Sequence, residues 1–423
     1  TRKQLLELDA CTGCQACADI CPAVSAAGDG KLSGVHRLAW MRQAFKGRGG
    51  VLRRLFGQKP PSDEDWDRFS ETVYRCTLCG NCQEVCPAGI QLKEMWLTLR
   101  QELVQNQHYP EKINLIRENL EESHNVFNED NSERADWVED LDEEPEDGLV
   151  KDQADWVYFT GCVAAFFPLA QQVPVNLAQV LQAGKVDFTL LGEEEWCCGF
   201  PLLGAGLKDA TAGIIAHNLA AVREKKAKGV IFACPSCYMM WREHYHAEGL
   251  ELHHSTQFLH KLILAGKLPL KKLAMKVTYH DPCDLGRGSR EFDAPRAVIQ
   301  AIPGVELSEM ERNREQCLCC GGGGNLEMID QELNKGIAKQ KIDMALATGA
   351  EAIITSCQQC VRTMATYCRR NEVPLKVMDI SQLVRKALDD NFYVQARAAE
   401  QLGITKSLLQ YKMKKYNLQR RKR

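Results

Sequence analysis

The cysteines of this chain come in ordered groups, and the spacing of one group constrains what the rest can be. Cys283, the adjacent pair Cys319 and Cys320, and the pair Cys357 and Cys360 punctuate residues 283 to 360, and Cys320 runs directly into Gly321-Gly322-Gly323-Gly324. No disulfide framework has this form. Two neighbouring thiols with side-chain-free backbone behind them can face one inorganic centre at close range, so the stretch reads as an iron–sulfur site with five thiolates. An imperfect copy lies upstream in Cys162, Cys197-Cys198-Gly199 and Cys234-Pro235-Ser236-Cys237. The separations are 121 residues from Cys162 to Cys283, 122 from Cys197 to Cys319 and 123 from Cys234 to Cys357. A near-constant offset is the mark of a duplicated module.

Two further groups precede the modules. Cys11, Cys14, Cys17 and Cys21-Pro22 form one C-x2-C-x2-C-x3-C-P run, and Cys76, Cys79, Cys82 and Cys86-Pro87 form a second. In such runs three thiolates wrap one cubane and the fourth, before proline, serves the other cluster. By that rule one cubane takes Cys11, Cys14, Cys17 and Cys86, and the other takes Cys76, Cys79, Cys82 and Cys21. The four groups use 18 of the 20 cysteines. Cys317, two residues before Cys319, is read as a buried spare thiol, with lining of the cluster pocket as the alternative, and Cys368 falls on a helix pattern as a buried thiol.

With 423 residues and 45% apolar content, the chain suffices for two or three cored domains, while a net charge of −3 selects no partner. Clustered cysteines without a signal-peptide pattern argue for metal ligation in a reducing compartment rather than for disulfides. The longest uncharged stretch, 156 to 175, is interrupted by Pro168 and Pro174, so no membrane-spanning helix is expected.

Taken in order, Leu32, Val35, Leu38 and Ala39, and then Leu92, Met95, Leu99 and Leu103, recur at helical spacing, which predicts a helical ferredoxin domain over 1–120. The basic run Arg37, Arg42, Lys46, Arg48, Arg53 and Arg54, with Trp40, Phe45 and Leu52 between, is read as a solvated helix and loop, with docking to an anionic surface as the alternative. The acidic stretch 121–155 reads as an interdomain linker in which Trp137 supplies an anchor. Beyond it, strands are predicted at 157–160, 186–191 and 230–233 and a helix at about 209–226, matched in the second module by strands at 276–280 and 352–355 and a helix at about 329–347. Cysteines follow these strands, and ligands in open α/β sheets gather beyond strand carboxyl ends. The modules are therefore set at 156–270 and 271–390. His244, His246, His253 and His254 read as surface or packing histidines, and His280 as packing against the cluster. The glycine run lacks the Lys-Ser/Thr ending of a phosphate loop.

These motifs resemble the CCG-domain family: the B- and D-type subunits of heterodisulfide reductase, with iron–sulfur subunits of glycolate oxidase and anaerobic glycerol-3-phosphate dehydrogenase as relatives. The resemblance covers 1 to about 390. It implies a multidomain fold, with a helical ferredoxin domain, two α/β modules and a short helical tail. It also implies two cubane [4Fe–4S] clusters and one or two noncubane [4Fe–4S] clusters, each noncubane centre held by all five cysteines of a module. On this chain those sets are Cys162, Cys197, Cys198, Cys234 and Cys237, and Cys283, Cys319, Cys320, Cys357 and Cys360, the second being the catalytic candidate. At Asp284 the chain departs from the family, which usually has histidine after that cysteine. The tail, 391–423, resembles a Fis-type helix-turn-helix with Gly403 in the turn and Lys406 to Tyr416 as recognition helix. It is short and single, and docking within a complex is expected in preference to DNA binding.

The expectation is a cytoplasmic electron-transfer subunit, peripheral on the membrane only through a partner, that exchanges electrons with a flavoprotein or membrane quinone-linked subunit. No flavin or nicotinamide fingerprint is present, so a partner must handle hydride. A disulfide reductase subunit acting on a thiol cofactor or protein disulfide, and a redox-responsive DNA-binding regulator, are the alternatives.

Overall fold

The computed structural model describes residues 1–46, 60–142 and 148–388, together with 408, 412, 415 and 416 of the tail. The remainder of the basic run, including Arg48, Arg53 and Arg54, and nearly all of the helix-turn-helix stretch lie outside the described residues.

The first 120 residues are helical. Helices Arg2–Ala10, Gly34–Lys46, Asp63–Tyr74 and Leu92–Gln105 enclose a core in which Leu38, Phe69, Val73, Leu92, Met95, Trp96, Leu99 and Leu103 are buried. The start of 63–74 is set by a capping box, with the Ser62 hydroxyl accepting from the Asp65 N–H and the Asp65 carboxylate accepting from Ser62. Two residues of the basic run are structural. Arg37 is buried and donates to the Thr72 carbonyl, and Arg42 donates to the carbonyls of Leu8, Asp9 and Cys11. Ala39, expected inside, is exposed.

Each module is a four-stranded parallel sheet with the same order. In the first, β1 (Trp156–Phe159), β2 (Phe188–Thr189), β3 (Gly229–Phe232) and β4 (Glu251–His254) stand in the order β2-β1-β3-β4. In the second, β5 (Met275–His280), β6 (Val305–Leu307), β7 (Ala352–Thr355) and β8 (Lys376–Asp379) stand in the order β6-β5-β7-β8. The edge strands β4, β6 and β8 did not stand out in the sequence, being short and flanked by polar residues. Successive side chains of a strand face opposite sides. Trp156 and Tyr158 of β1 therefore join Val277 and Tyr279 of β5 in a core shared between the modules, while Val157 and Phe159 pack outward with Trp241. Helix Gln172–Ala183 packs on helix Ile380–Ala387 across that interface, and Ser255–Leu264 on Asp293–Gln300. The duplication is thus expressed as two sheets of matching strand order whose helices meet over one shared core.

The stretch expected as a linker is not a bare tether. Its described part includes a 3-10 segment, Asn131–Asp140, and Trp137, Leu141 and Leu149 are buried in the core that contains β1. No helix among the described residues is long and apolar enough to cross a membrane.

Candidate metal centre

The cysteines of each module lie where its sheet changes direction. Cys162 follows β1, Cys197 and Cys198 follow β2, and Cys234 follows β3; Cys283 follows β5, Cys319 and Cys320 follow β6, and Cys357 follows β7. In both sheets the central pair of strands marks the point at which connections leave in opposite directions, the usual place for a ligand crevice. The last two thiols of each set share a local design. Cys234 occupies the N-cap position of helix Pro235–His244 and Cys357 that of helix Gln358–Arg370, so Cys237 and Cys360 fall in the first turn of each. The third letter of each CCG triplet is conformational: Gly199 has φ +88° and Gly321 has φ +100°, and a Cβ at Gly321 would lie 2.8 Å from the Asn334 carbonyl oxygen.

All ten module cysteines line one cavity of about 480 Å3 between the two modules. Ile116, Val126, Phe127, Phe200 and Met328 make its apolar wall, and Asn325, Glu327, Gln359 and Arg362 its polar edge. The Arg362 guanidinium lies over the Phe167 and Phe127 rings, with Nη2 donating to Glu327 at 3.0 Å. Sulfur atoms converge inside: Cys320 and Cys360 are 3.3 Å apart, and the Gly321 N–H donates to Cys319 at 3.4 Å. Every cysteine is a free thiol.

The two sets hold each other in register through the residues inside their C-x-x-C pairs. Gln358, between Cys357 and Cys360, donates to the Thr160 carbonyl at 2.9 Å and accepts from the Ala164 N–H, on either side of Cys162. Ser236, between Cys234 and Cys237, donates to Asp284 at 2.7 Å, beside Cys283. Asp284 also receives Lys93 of the ferredoxin domain at 2.7 Å, so the residue that departs from the family joins all three domains.

Cations flank both sets. Arg134, from the supposed linker, forms a buried pair with Glu195 at 2.9 Å and directs Nη2 at Cys162 Sγ, 3.6 Å away. Glu195 in turn accepts from the Thr160 and Gly161 N–H groups at 2.7 Å each. Arg287 donates to the carbonyls of Cys79 at 2.8 Å and Cys317 at 2.7 Å. Cys317 is fully buried, its Sγ 3.5 Å from His280 Nδ1 and 3.4 Å from Lys341 Nζ. Burial works to raise its thiol, but the positive charges of Lys341 and His280 outweigh that and bring it down to about 7. Cys368 is buried in the helical core, as expected.

The structure brings several of the ferredoxin cysteines together. Cys17 lies close to Cys11 and Cys14. Cys21, whose thiol burial pushes up to about 11, lies with Cys76 and Cys79 of the other run, and the same three surround Cys82. Cys86 follows the short helix Asn81–Glu84 and is half-buried. Cys14 is exposed. At the inner end, Cys79 is within hydrogen-bond reach of Cys319, an interaction that holds the Cys79 thiol down at about 5.

Part of the glycine run serves this junction. A Cβ at Gly323 would overlap the Thr77 carbonyl oxygen, and one at Gly324 would lie 2.8 Å from the Thr77 carbonyl carbon. Buried Arg100 completes the seat, donating to Gly204 of the first module at 2.6 Å, Gly324 of the second at 2.9 Å and Cys76 at 2.8 Å.

Eighteen free, mostly buried thiols in four clusters, with cations and N–H donors around them, suit iron–sulfur clusters and no harder metal. A chain that joins two ferredoxin runs to a pair of five-cysteine modules about one cavity is an iron–sulfur oxidoreductase of the CCG class. The family model described as a cysteine-rich domain matches 156–242 and 277–365, the 4Fe-4S dicluster domain matches 7–90, and the Fis family of bacterial regulatory proteins matches 381–416. The D-type subunit of the dihydromethanophenazine:CoB--CoM heterodisulfide reductase of Methanosarcina mazei is 36% identical over 399 residues, covering 92% of this chain and 96% of that protein. Its counterpart in Methanosarcina barkeri is 36% identical over 400 residues, with the same coverage. EtfAB:quinone oxidoreductase of Syntrophomonas wolfei is 29% identical over 425 residues, covering 92% of this chain and 59% of that protein. The chain belongs to the family of iron–sulfur oxidoreductases that includes the D-type subunits of heterodisulfide reductase.

Proposed function

We propose that this chain is the electron-transfer subunit of a heterodisulfide reductase-like complex, passing single electrons between two cubane clusters, noncubane centres in the modules, and a flavoprotein or membrane quinone-linked partner. The observation that carries this is the ordered series of thiol groups from the exposed Cys14 loop inward, with Cys79 against Cys319 at the domain junction.

In this reading Cys11, Cys14, Cys17 and Cys86 hold one cubane and Cys76, Cys79, Cys82 and Cys21 the other. Cys162, Cys197, Cys198, Cys234 and Cys237 hold one noncubane centre, and Cys283, Cys319, Cys320, Cys357 and Cys360 the second. Bound there, the clusters supply one-electron chemistry. The chain's own part is to expose the Cys14 loop to a partner, keep bulk water from the buried module thiols, and balance thiolate charge with Arg134, Arg287 and backbone N–H groups. The names of the relatives, a heterodisulfide reductase subunit and a quinone oxidoreductase, support a place among redox partners, one of them quinone-linked. Anaerobic purification of the native complex tests this. Co-purification with a flavoprotein or quinone-linked subunit that reduces the chain is the expected result; a chain that purifies alone and accepts electrons from neither contradicts it.

The shared cavity favours a second reading, in which a disulfide is cleaved between the two five-cysteine sets. A substrate disulfide would then change the EPR spectrum of the module centres, and a spectrum indifferent to every disulfide offered would remove this reading. The Fis-family match of the tail supports a DNA-binding regulator; failure of the chain to retard genomic DNA at low salt would dispose of that.

A further inference from the structure

The two modules are equivalent in their thiols but not in what stands behind them. With the offset of the flanking cysteines, Phe159 at the end of β1 corresponds to His280 at the end of β5, and Glu195 corresponds to Cys317. Phe159 is buried among apolar side chains. His280 is equally buried, yet among the described residues it is the one histidine whose ring nitrogen groups with cysteine sulfurs, those of Cys320 and Cys360, all within 4.8 Å of one another. Its Nδ1 is engaged by Cys317 at 3.5 Å, Lys341 stands behind that thiol at 3.4 Å, and the ring also comes within hydrogen-bond reach of Cys320. A buried ring N–H needs an acceptor, and the sulfur face formed by Cys320 and Cys360 is what the ring meets.

We propose that His280 donates a hydrogen bond through Nε2–H to the sulfur of the second-module centre, at Cys320 and Cys360, and so raises the reduction potential of that centre. The inference rests on the reading that the second module binds a cluster through its five cysteines. The direction follows from charge: the reduced centre carries more negative charge on sulfur, so a donor stabilises it more than the oxidised one. The Cys317–His280 contact supports the donor role, since moving the shared proton between Cys317 Sγ and His280 Nδ1 leaves Nε2–H in place. Lys341 and Cys317 act as positioning residues that hold the ring in that orientation. The first module has no such donor at Phe159; its cation, Arg134, approaches Cys162 instead.

The test is a redox titration by EPR of the full chain, purified anaerobically with its clusters, as wild type and as His280→Phe, which installs the residue the first module already carries. The expected result is a fall in the potential of one module centre by about tenfold in the one-electron equilibrium constant, or about 59 mV, with cubane potentials and iron content unchanged. Unchanged potentials at full iron content would overturn the proposal. If the variant loses iron, wild-type chain labelled with ¹⁵N-histidine decides: pulsed EPR should detect a ¹⁵N coupling at one module centre, and its absence overturns the proposal. Iron analysis of the wild type comes first, because a cubane-only content of about eight atoms per chain would refute the cluster reading instead.

Discussion

Replacing Gly324 with alanine isolates how the glycine run works. Gly324 has φ +63°, and a Cβ there would stand 2.8 Å from the Thr77 carbonyl carbon and 3.0 Å from its Cα. Both are backbone atoms of the second ferredoxin run, which cannot turn aside as a side chain would. Two costs add: the left-handed conformation, about 1–2 kcal/mol for a residue with a Cβ, and the overlap, about 1–3 kcal/mol by the usual range for overpacking. Gly28 separates them, since its φ is +64° with nothing within 4 Å of the added Cβ. Gly28→Ala should therefore show the conformational cost alone. The assay is native-state hydrogen exchange on the cluster-loaded chain, read in peptides spanning Cys76 to Asn81. Overlap of about 1–3 kcal/mol predicts that exchange there accelerates about 5- to 150-fold in Gly324→Ala, while Gly28→Ala and the first-module strand β3 leave it unmoved. If the Cys76–Asn81 peptides exchange no faster in Gly324→Ala than in Gly28→Ala, the glycine is not a docking seat for the ferredoxin domain.

Arg134→Leu leaves Glu195 buried without its partner and should cost about 3–5 kcal/mol. The change is measured as a fall in midpoint denaturant concentration, partly restored in the Arg134→Leu, Glu195→Gln double variant; a neutral single variant would refute the pairing. Burial raises the Asp379 carboxyl from its ordinary 3.8 to about 7, so between those values the folded chain holds a proton the unfolded chain has released. Its contribution is fully present below about pH 4 and is lost as pH rises toward 7, at about 1.4 kcal/mol per pH unit. Asp379→Asn should remove that slope from the stability–pH profile, and a variant with the wild-type slope would contradict the assignment.

The parts legible in the sequence were those written in local pattern. Cysteine spacing exposed the duplicated modules, and apolar runs such as 230–233 and 352–355 marked central strands because both faces of a parallel sheet are covered. What escaped was long-range. Arg134 carries no local sign that it will meet Cys162, since 28 residues of chain separate them. Lys93 and Arg100 occupy ordinary positions on a helix, and only the packed structure brings them to Asp284 and Gly324. Two residues did leave a trace. Lys341 interrupts the buried stripe of Leu333, Ile337, Ile342 and Ala345, and a charge on an apolar face signals a buried partner. Gln358 sits inside a C-x-x-C pair, so its reach to the other module was findable once the modules were seen as facing one cavity. The glycine run reads in the sequence as backbone near the cysteine site: the Gly321 N–H donates to Cys319 and Gly322, Gly323 and Gly324 line the cavity, while the packing of Gly323 and Gly324 against Thr77 of the ferredoxin loop left no sign in the sequence.

The central claim is that the chain holds a cluster in each of its four cysteine groups. Iron and sulfide analysis with Mössbauer spectroscopy on the anaerobically purified full chain tests it most directly. Four occupied sites require about 16 iron atoms per chain, half of them in environments unlike the cubane signal. About eight iron atoms with a single cubane signature would contradict the account and leave the ten thiols of the cavity without the role assigned to them.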